Sequence, residues 1–240
     1  MTDEIKTIVW KPGDPITREA ITENKSINGF LDVPRLVDDT IDGRACDKQG
    51  LRFLCVLADM LRQQFADRFC YLEIGVAYGS SLCAISYHKF KAAYEKYAGI
   101  DIFSGRLPGD VDPVPLTIER ADRNIRYFGV QNFALFEGNS ADEKIFKRVR
   151  AYLRDTVHLL YVDGEHSYDG VVNDFKNYGQ LIEPGGAVFF GDYHYNECPG
   201  VTEAIDEIAG LESTADDWEI IGPLKIDGTP TPFVMIRKDG

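Results

Sequence analysis

The chain of 240 residues is short of several things, and each shortage removes a class of protein. Its five cysteines, at positions 46, 55, 70, 83 and 198, form no Cys-x-x-Cys pair and leave one over. A disulfide scaffold expects denser, paired cysteines. Cys55, Cys70 and Cys83 lie in apolar runs and read as small buried thiols. No apolar stretch approaches the length of a membrane span. The first residues, Met-Thr-Asp-Glu-Ile-Lys, lack the charged and apolar regions of a signal peptide. A cytoplasmic protein without a membrane partner is expected. Positive charge is also scarce. Against 39 Asp and Glu stand 26 Lys and Arg, a formal net charge of −13 with no long basic run. Such a field repels phosphate backbones and anionic lipid, so no nucleic-acid partner is expected either.

The length suits one large α/β domain, and 44% hydrophobic residues can supply its core. Residues 1–45 are polar, interrupted by Pro12, Pro15 and Pro34, and read as an irregular N-terminal arm that helps to cover a substrate. Lys48–Phe65 carries Leu51, Leu54, Val56, Leu57 and Leu61 at helical spacing. A regular alternation follows. Apolar runs at 70–74, 97–102, 133–136, 157–162 and 187–190 read as strands. Helical patterns lie between them, at 80–92, 117–127, 143–153 and 170–181. Nearly continuous apolar strands alternating with helices predict a parallel sheet covered on both faces. A helix at 202–209 and two strand-like segments, 218–221 and 232–236, then predict a closing antiparallel hairpin.

The first strand runs into Glu73-Ile-Gly75-Val-Ala77-Tyr-Gly79-Ser-Ser81, and a helix begins at once. Glycine there permits a tight turn and close approach of a ligand, and the helix start offers free N–H groups. A dinucleotide fingerprint fails, because Ala77 and Ser80 stand at its second and third glycine positions. No Gly-Lys-Ser/Thr ending suggests a phosphate loop. The second strand ends at Asp101, where a carboxylate can accept both hydroxyls of a ribose. The third ends in Glu137-Gly-Asn-Ser140, at the height of an adenine ring. Together these turns specify a nucleoside that carries no essential phosphate. In this setting Glu73-Ile-Gly-Val-Ala-Tyr-Gly79 resembles the first motif of class I S-adenosylmethionine (SAM)-dependent methyltransferases, over about residues 45 to 240. The resemblance implies a Rossmann-like, seven-stranded, mostly parallel sheet with a reversed last strand, forming a methyltransferase domain over 46–240. It assigns Glu73, Gly75, Ala77, Gly79 and Ser81 to the methionine end of the cofactor, Asp101 to the ribose and Ser140 to the adenine edge.

The fourth strand delivers Asp163-Gly-Glu165-His166-Ser-Tyr, and the fifth ends in Gly191-Asp192-Tyr-His194. Adjacent strands would bring Asp163 and Asp192 together, and two neighbouring carboxylates call for a shared proton or cation. Hard oxygen ligands suit Mg²⁺ or a similar ion. His88 and His158 read as structural. With Glu183-Pro-Gly-Gly186, Pro199-Gly-Val201 and Ala204-Ile-Asp-Glu207 downstream, this segment resembles the macrocin and mycinamicin O-methyltransferases, which act largely on hydroxyls of sugars and other small molecules. The resemblance implies Asp163 and Asp192 as ligands of a divalent cation, Asp163 beside the cofactor, and His166 as general base. Gly191 departs from it, standing where another acidic ligand would be, so Glu165, His194 or water would complete the shell, or no metal is held. A Tyr87-x-x-x-Lys91 pair is in the wrong place for a short-chain dehydrogenase. Two alternatives stay open: a metal-independent methyltransferase acting on a carboxyl or nitrogen, and a non-catalytic SAM-binding regulatory domain. The loop 103–115 is long for its place and suits a lid over the acceptor. The arm could pack between subunits, which leaves a homo-oligomer open.

Overall fold

In a computed structural model the described residues are 9–24, 30, 32–40, 48–86, 91–104, 115–224 and 231–239. Most of the proposed lid, Cys46, Tyr87, His88 and much of the N-terminal arm lie outside them.

Two short helices, α1 (Arg18–Thr22) and α2 (Val33–Thr40), precede α3 (Lys48–Gln64). The alternation then runs β1 (Arg68–Ile74), α4 (Ser80–Ser86), β2 (Tyr94–Asp101), α5 (Ile118–Tyr127), β3 (Phe133–Glu137), α6 (Glu143–Leu153), β4 (Val157–Val162), α7 (Tyr168–Tyr178) and β5 (Ile182–Tyr193). It closes with α8 (Pro199–Gly210), α9 (Glu212–Asp217), β6 (Trp218–Pro223) and β7 (Thr231–Arg237). The predicted elements are all present, with shifted ends. Helix α4 is described only to Ser86, Ala92 lies beyond it, and α9 adds a helix that the sequence did not suggest.

Among the described residues the strands form one seven-stranded sheet in the order β3-β2-β1-β4-β5-β7-β6. Strands β1 to β5 pair in parallel. Strand β7 lies antiparallel between β5 and β6. Apolar side chains fill both faces. Phe69, Tyr71 and Leu159 face α3, α4 and α5, while Leu72, Leu160 and Val188 face α6, α7 and α8. That double burial explains why the inner strands read as unbroken apolar runs.

The order matters for function. Chain connections leave β1 in one direction through β2 and β3, and in the other through β4 and β5. Crossovers therefore diverge at the carboxyl ends of β1 and β4, and a crevice opens at such a switch point. No helix among the described residues is long and apolar enough to cross a membrane.

Candidate active site

The floor of the crevice is the turn after β1. Gly75 has φ +92°, and a Cβ there would lie 1.9 Å from the Asp163 carbonyl oxygen. The β1 turn and the end of β4 thus touch backbone to backbone, and the Asp163 amide donates to the Ile74 carbonyl at 2.9 Å. Gly79 also sits at positive φ, with Ile125 of α5 against it. Both motif glycines are therefore demanded by the fold itself.

Asp101 binds this turn from β2. One carboxylate oxygen accepts the Ala77 N–H and the other the Phe103 N–H, each at 2.7 Å. Each oxygen keeps a further lone pair that can accept another donor. Ala77 and Phe103 are held at φ +47° and +45°, the left-handed region that non-glycine residues rarely enter. Asp192 and His194, at the end of β5, share that conformation. Four of the six non-glycine residues described at positive φ thus sit at this one sheet edge, where backbone strain characteristically gathers at functional sites.

Glu73 is fully buried, so the structure places it beneath the turn rather than in the open crevice. Its carboxylate accepts hydrogen bonds from the Ser81 and Tyr71 hydroxyls, which anchors the first turn of α4. Burial pushes its carboxyl up to about 8, partly offset by those two hydrogen bonds. Ser140 lies on the turn after β3. Its carbonyl accepts the Tyr178 hydroxyl at 2.9 Å, and its side chain faces Asp174 of α7. Burial raises the Asp174 carboxyl to about 6. Asp174 was not anticipated, since nothing in the spacing of α7 sets it apart.

The second half of the site is carried by β4, β5 and the helices that follow them. Ser167 caps α7 by accepting the Gly170 N–H, which fixes His166 as the residue before the cap. The imidazole Nε2 lies 3.4 Å from Asp192 Oδ2 and 3.7 Å from Asp163 Oδ1. The structure therefore brings together the three residues singled out at these strand ends. The nearby Asp163 carboxylate, with the charge of Asp192 beside it, raises the His166 pKa above its ordinary value, against an opposing desolvation. The Tyr161 hydroxyl donates to Asp163 Oδ2 at 2.7 Å and steadies that carboxylate. Gly191 is explained by the same packing: a Cβ there would come within 2.4 Å of Asp163 Oδ1. A side chain at 191 and this placement of Asp163 exclude each other.

Cys198 was missed by sequence reasoning. It is buried at the start of α8, with Sγ 3.2 Å from His166 Nδ1. Gly200 makes the approach possible, since a Cβ there would meet the Tyr168 amide nitrogen at 2.7 Å. The available signal was Pro199-Gly200, a proline at the first helical turn followed by a residue without a side chain. Among the described residues, His166, Asp192 and Cys198 are the one group of three metal-capable side chains with donor atoms within 4.8 Å of one another. His194 and Glu165 are outside it. The His194 ring stacks on Tyr193 at 4.0 Å, and Glu165 accepts the Ser167 hydroxyl. His158, as expected, is structural: it is buried, accepts the Cys70 N–H at 2.8 Å, and burial lowers its pKa to about 4.

A parallel sheet with its switch point at β1 and β4 and a reversed strand β7 beside β5 is the class I SAM-dependent methyltransferase fold. The sequence profile of the family described as "Methyltransferase domain" matches residues 72–193, just over half of the chain, and the protein belongs to that family. It resembles the uncharacterized protein R132 of Acanthamoeba polyphaga mimivirus, with 30% identity over 149 residues. That match covers 59% of this chain and 60% of the viral protein, so the chain spans about three fifths of that relative. Among solved structures, the O-methyltransferase TomG from Streptomyces achromogenes, in complex with SAM, superposes with a TM-score of 0.57 at 17% identity. It covers 91% of this chain and 92% of its own. CalS11, a TDP-rhamnose 3'-O-methyltransferase of calicheamicin biosynthesis, gives a TM-score of 0.51 at 18% identity, covering 86% and 93%. At such identities the likeness establishes the shared fold.

Proposed function

We propose that this protein transfers the methyl group of SAM to a hydroxyl of a small molecule, a sugar or glycosylated metabolite, with His166 as general base. The observation that carries the reading is the imidazole Nε2 placed between two carboxylates at the strand ends next to the glycine turn. The turn suits SAM in one respect: Asp101, bonded across it, keeps lone pairs for the ribose hydroxyls. The sugar acceptor is supported by the resemblance to the macrocin group and by the rhamnose substrate named for CalS11.

The sulfonium methyl is intrinsically reactive, so the protein must chiefly align the acceptor oxygen and remove its proton. Alignment at near-attack distance can lower the barrier by up to roughly 7–11 kcal/mol. A neutral sugar hydroxyl is a poor nucleophile, and a positioned base contributes of order 10²–10⁴ in rate. His166 would take the acceptor proton as the carbon–oxygen bond forms and the carbon–sulfur bond breaks, leaving S-adenosylhomocysteine. Asp163 and Asp192 would stabilise the resulting imidazolium and hold its ring. The same two carboxylates fit a hard divalent cation such as Mg²⁺. With water completing its shell, that ion would leave His166 free and supply Lewis-acid and template effects.

The test is a screen of sugar nucleotides and glycosides for SAM-dependent formation of S-adenosylhomocysteine, with wild type and His166→Ala side by side. Turnover on a hydroxyl acceptor, lost in the variant while cofactor affinity stays within about twofold, is the expected result. Equal turnover by the variant would remove His166 from the mechanism.

A further inference from the structure

The side chain that the proposed reaction does not use is Cys198. We infer that His166, Asp192 and Cys198 form a binding site for a borderline, thiol-seeking divalent cation of the Zn²⁺ class, and that occupying it disables the base. The inference rests on the proposed role of His166, but the ligand site itself does not.

Three observations support it. The donor atoms are a nitrogen, a carboxylate oxygen and a sulfur within 4.8 Å of one another. Such a mixed set is characteristic of zinc and poorly suited to Mg²⁺, which demands oxygen. The spacing also fits. Ligands about 2.0–2.3 Å from a tetrahedral zinc are about 3.3–3.7 Å apart. Here Cys198 Sγ is 3.2 Å from His166 Nδ1 and Asp192 Oδ2 is 3.4 Å from Nε2, and water would supply the fourth donor. Finally, the cluster is built rather than accidental. Ser167 fixes the turn that carries His166, and Gly200 lets α8 approach until Cys198 Sγ reaches 3.2 Å from Nδ1. The thiol lies on one ring nitrogen and the carboxylates on the other, and one donor atom from each of the three residues already falls within 4.8 Å of the others.

Binding would replace the thiol proton by the metal and engage the imidazole lone pair. A zinc-ligated His166 accepts no proton from a sugar hydroxyl. Hard and soft cations would therefore have opposite effects at one strand edge. Mg²⁺ on the carboxylates leaves the base free, and Zn²⁺ recruiting Cys198 and His166 removes it.

The experiment is a Co²⁺ titration of the full chain followed by absorption, with S-adenosylhomocysteine binding measured in parallel by calorimetry. Co²⁺ substitutes for zinc, and a cysteine ligand gives a sulfur-to-cobalt charge-transfer band in the near ultraviolet. We expect that band, its displacement by equimolar Zn²⁺ but not by Mg²⁺, and its loss in Cys198→Ser and His166→Ala. Zn²⁺ affinity should fall at least about tenfold in Cys198→Ser. Serine suits the position before a helix, so the variant should fold, and its unchanged cofactor binding would confirm this. Bound Co²⁺ without the band, or equal Zn²⁺ affinity in Cys198→Ser, would overturn the inference. A chain that shows the band but binds no S-adenosylhomocysteine would instead count against the methyltransferase reading alone.

Discussion

Single residues in this protein hold the crevice together from below. Gly75 is the sharpest case, because its positive φ and its contact with the Asp163 backbone leave no room for a Cβ. Gly75→Ala should cost more than about 2 kcal/mol and abolish cofactor binding. Thermal unfolding and a titration with S-adenosylhomocysteine read the two effects separately. Glu73 gives a pH signature. Its carboxyl titrates near 8 when folded, against an ordinary 4.5. Between those values the folded state keeps a proton that the unfolded chain has released, so this contribution to stability falls as pH rises from 4.5 towards 8 and levels off above. Glu73→Gln should flatten that slope in melts of the unliganded protein. A slope unchanged in the variant would assign the pH dependence to other groups. From beneath the turn the Glu73 carboxyl also holds the Ser81 hydroxyl at the start of α4.

Elements show why some of the fold was legible and some was not. Burial of the inner strands on both faces leaves an apolar run, and such runs survive in sequence whatever the tertiary detail. The start of β5 was obscured, because Glu183-Pro-Gly-Gly186 reads as a turn. In the sheet Ile182 already pairs with Val157 across a register shift, and Gly185 accommodates it at φ +77°. Helix α8 starts at Pro199 rather than Thr202, and α9 is too short and polar to announce itself. Strand order made the Asp163–His166–Asp192 grouping readable, since all three lie at the ends of neighbouring strands. The approach of Cys198 to His166 depends on how α8 packs, which no local period records. Helix α3 offers a test at this scale. Arg62 is buried, bonded to Glu95 at 3.2 Å, to the Ile85 carbonyl at 2.6 Å and to the Tyr97 hydroxyl at 3.0 Å. It joins α3 to α4 and β2, so Arg62→Met should destabilise by about 3–5 kcal/mol in chemical denaturation, by leaving the buried Glu95 carboxylate without its counter-charge.

At the scale of the molecule, a sheet with one switch point places the glycine turn, the two carboxylates and the imidazole along a single edge of a chain whose formal net charge is −13. Such a field favours a cationic cofactor over a polyanionic one. SAM binding is read by calorimetric titration of the full chain with SAM and S-adenosylhomocysteine, with NAD as control. One site is expected for each of the first two, absent in Gly75→Ala and weakened in Asp101→Asn, with no heat of binding from NAD. Binding of NAD, or silence towards both sulfur nucleosides with and without Mg²⁺, would rule out a SAM-dependent methyltransferase.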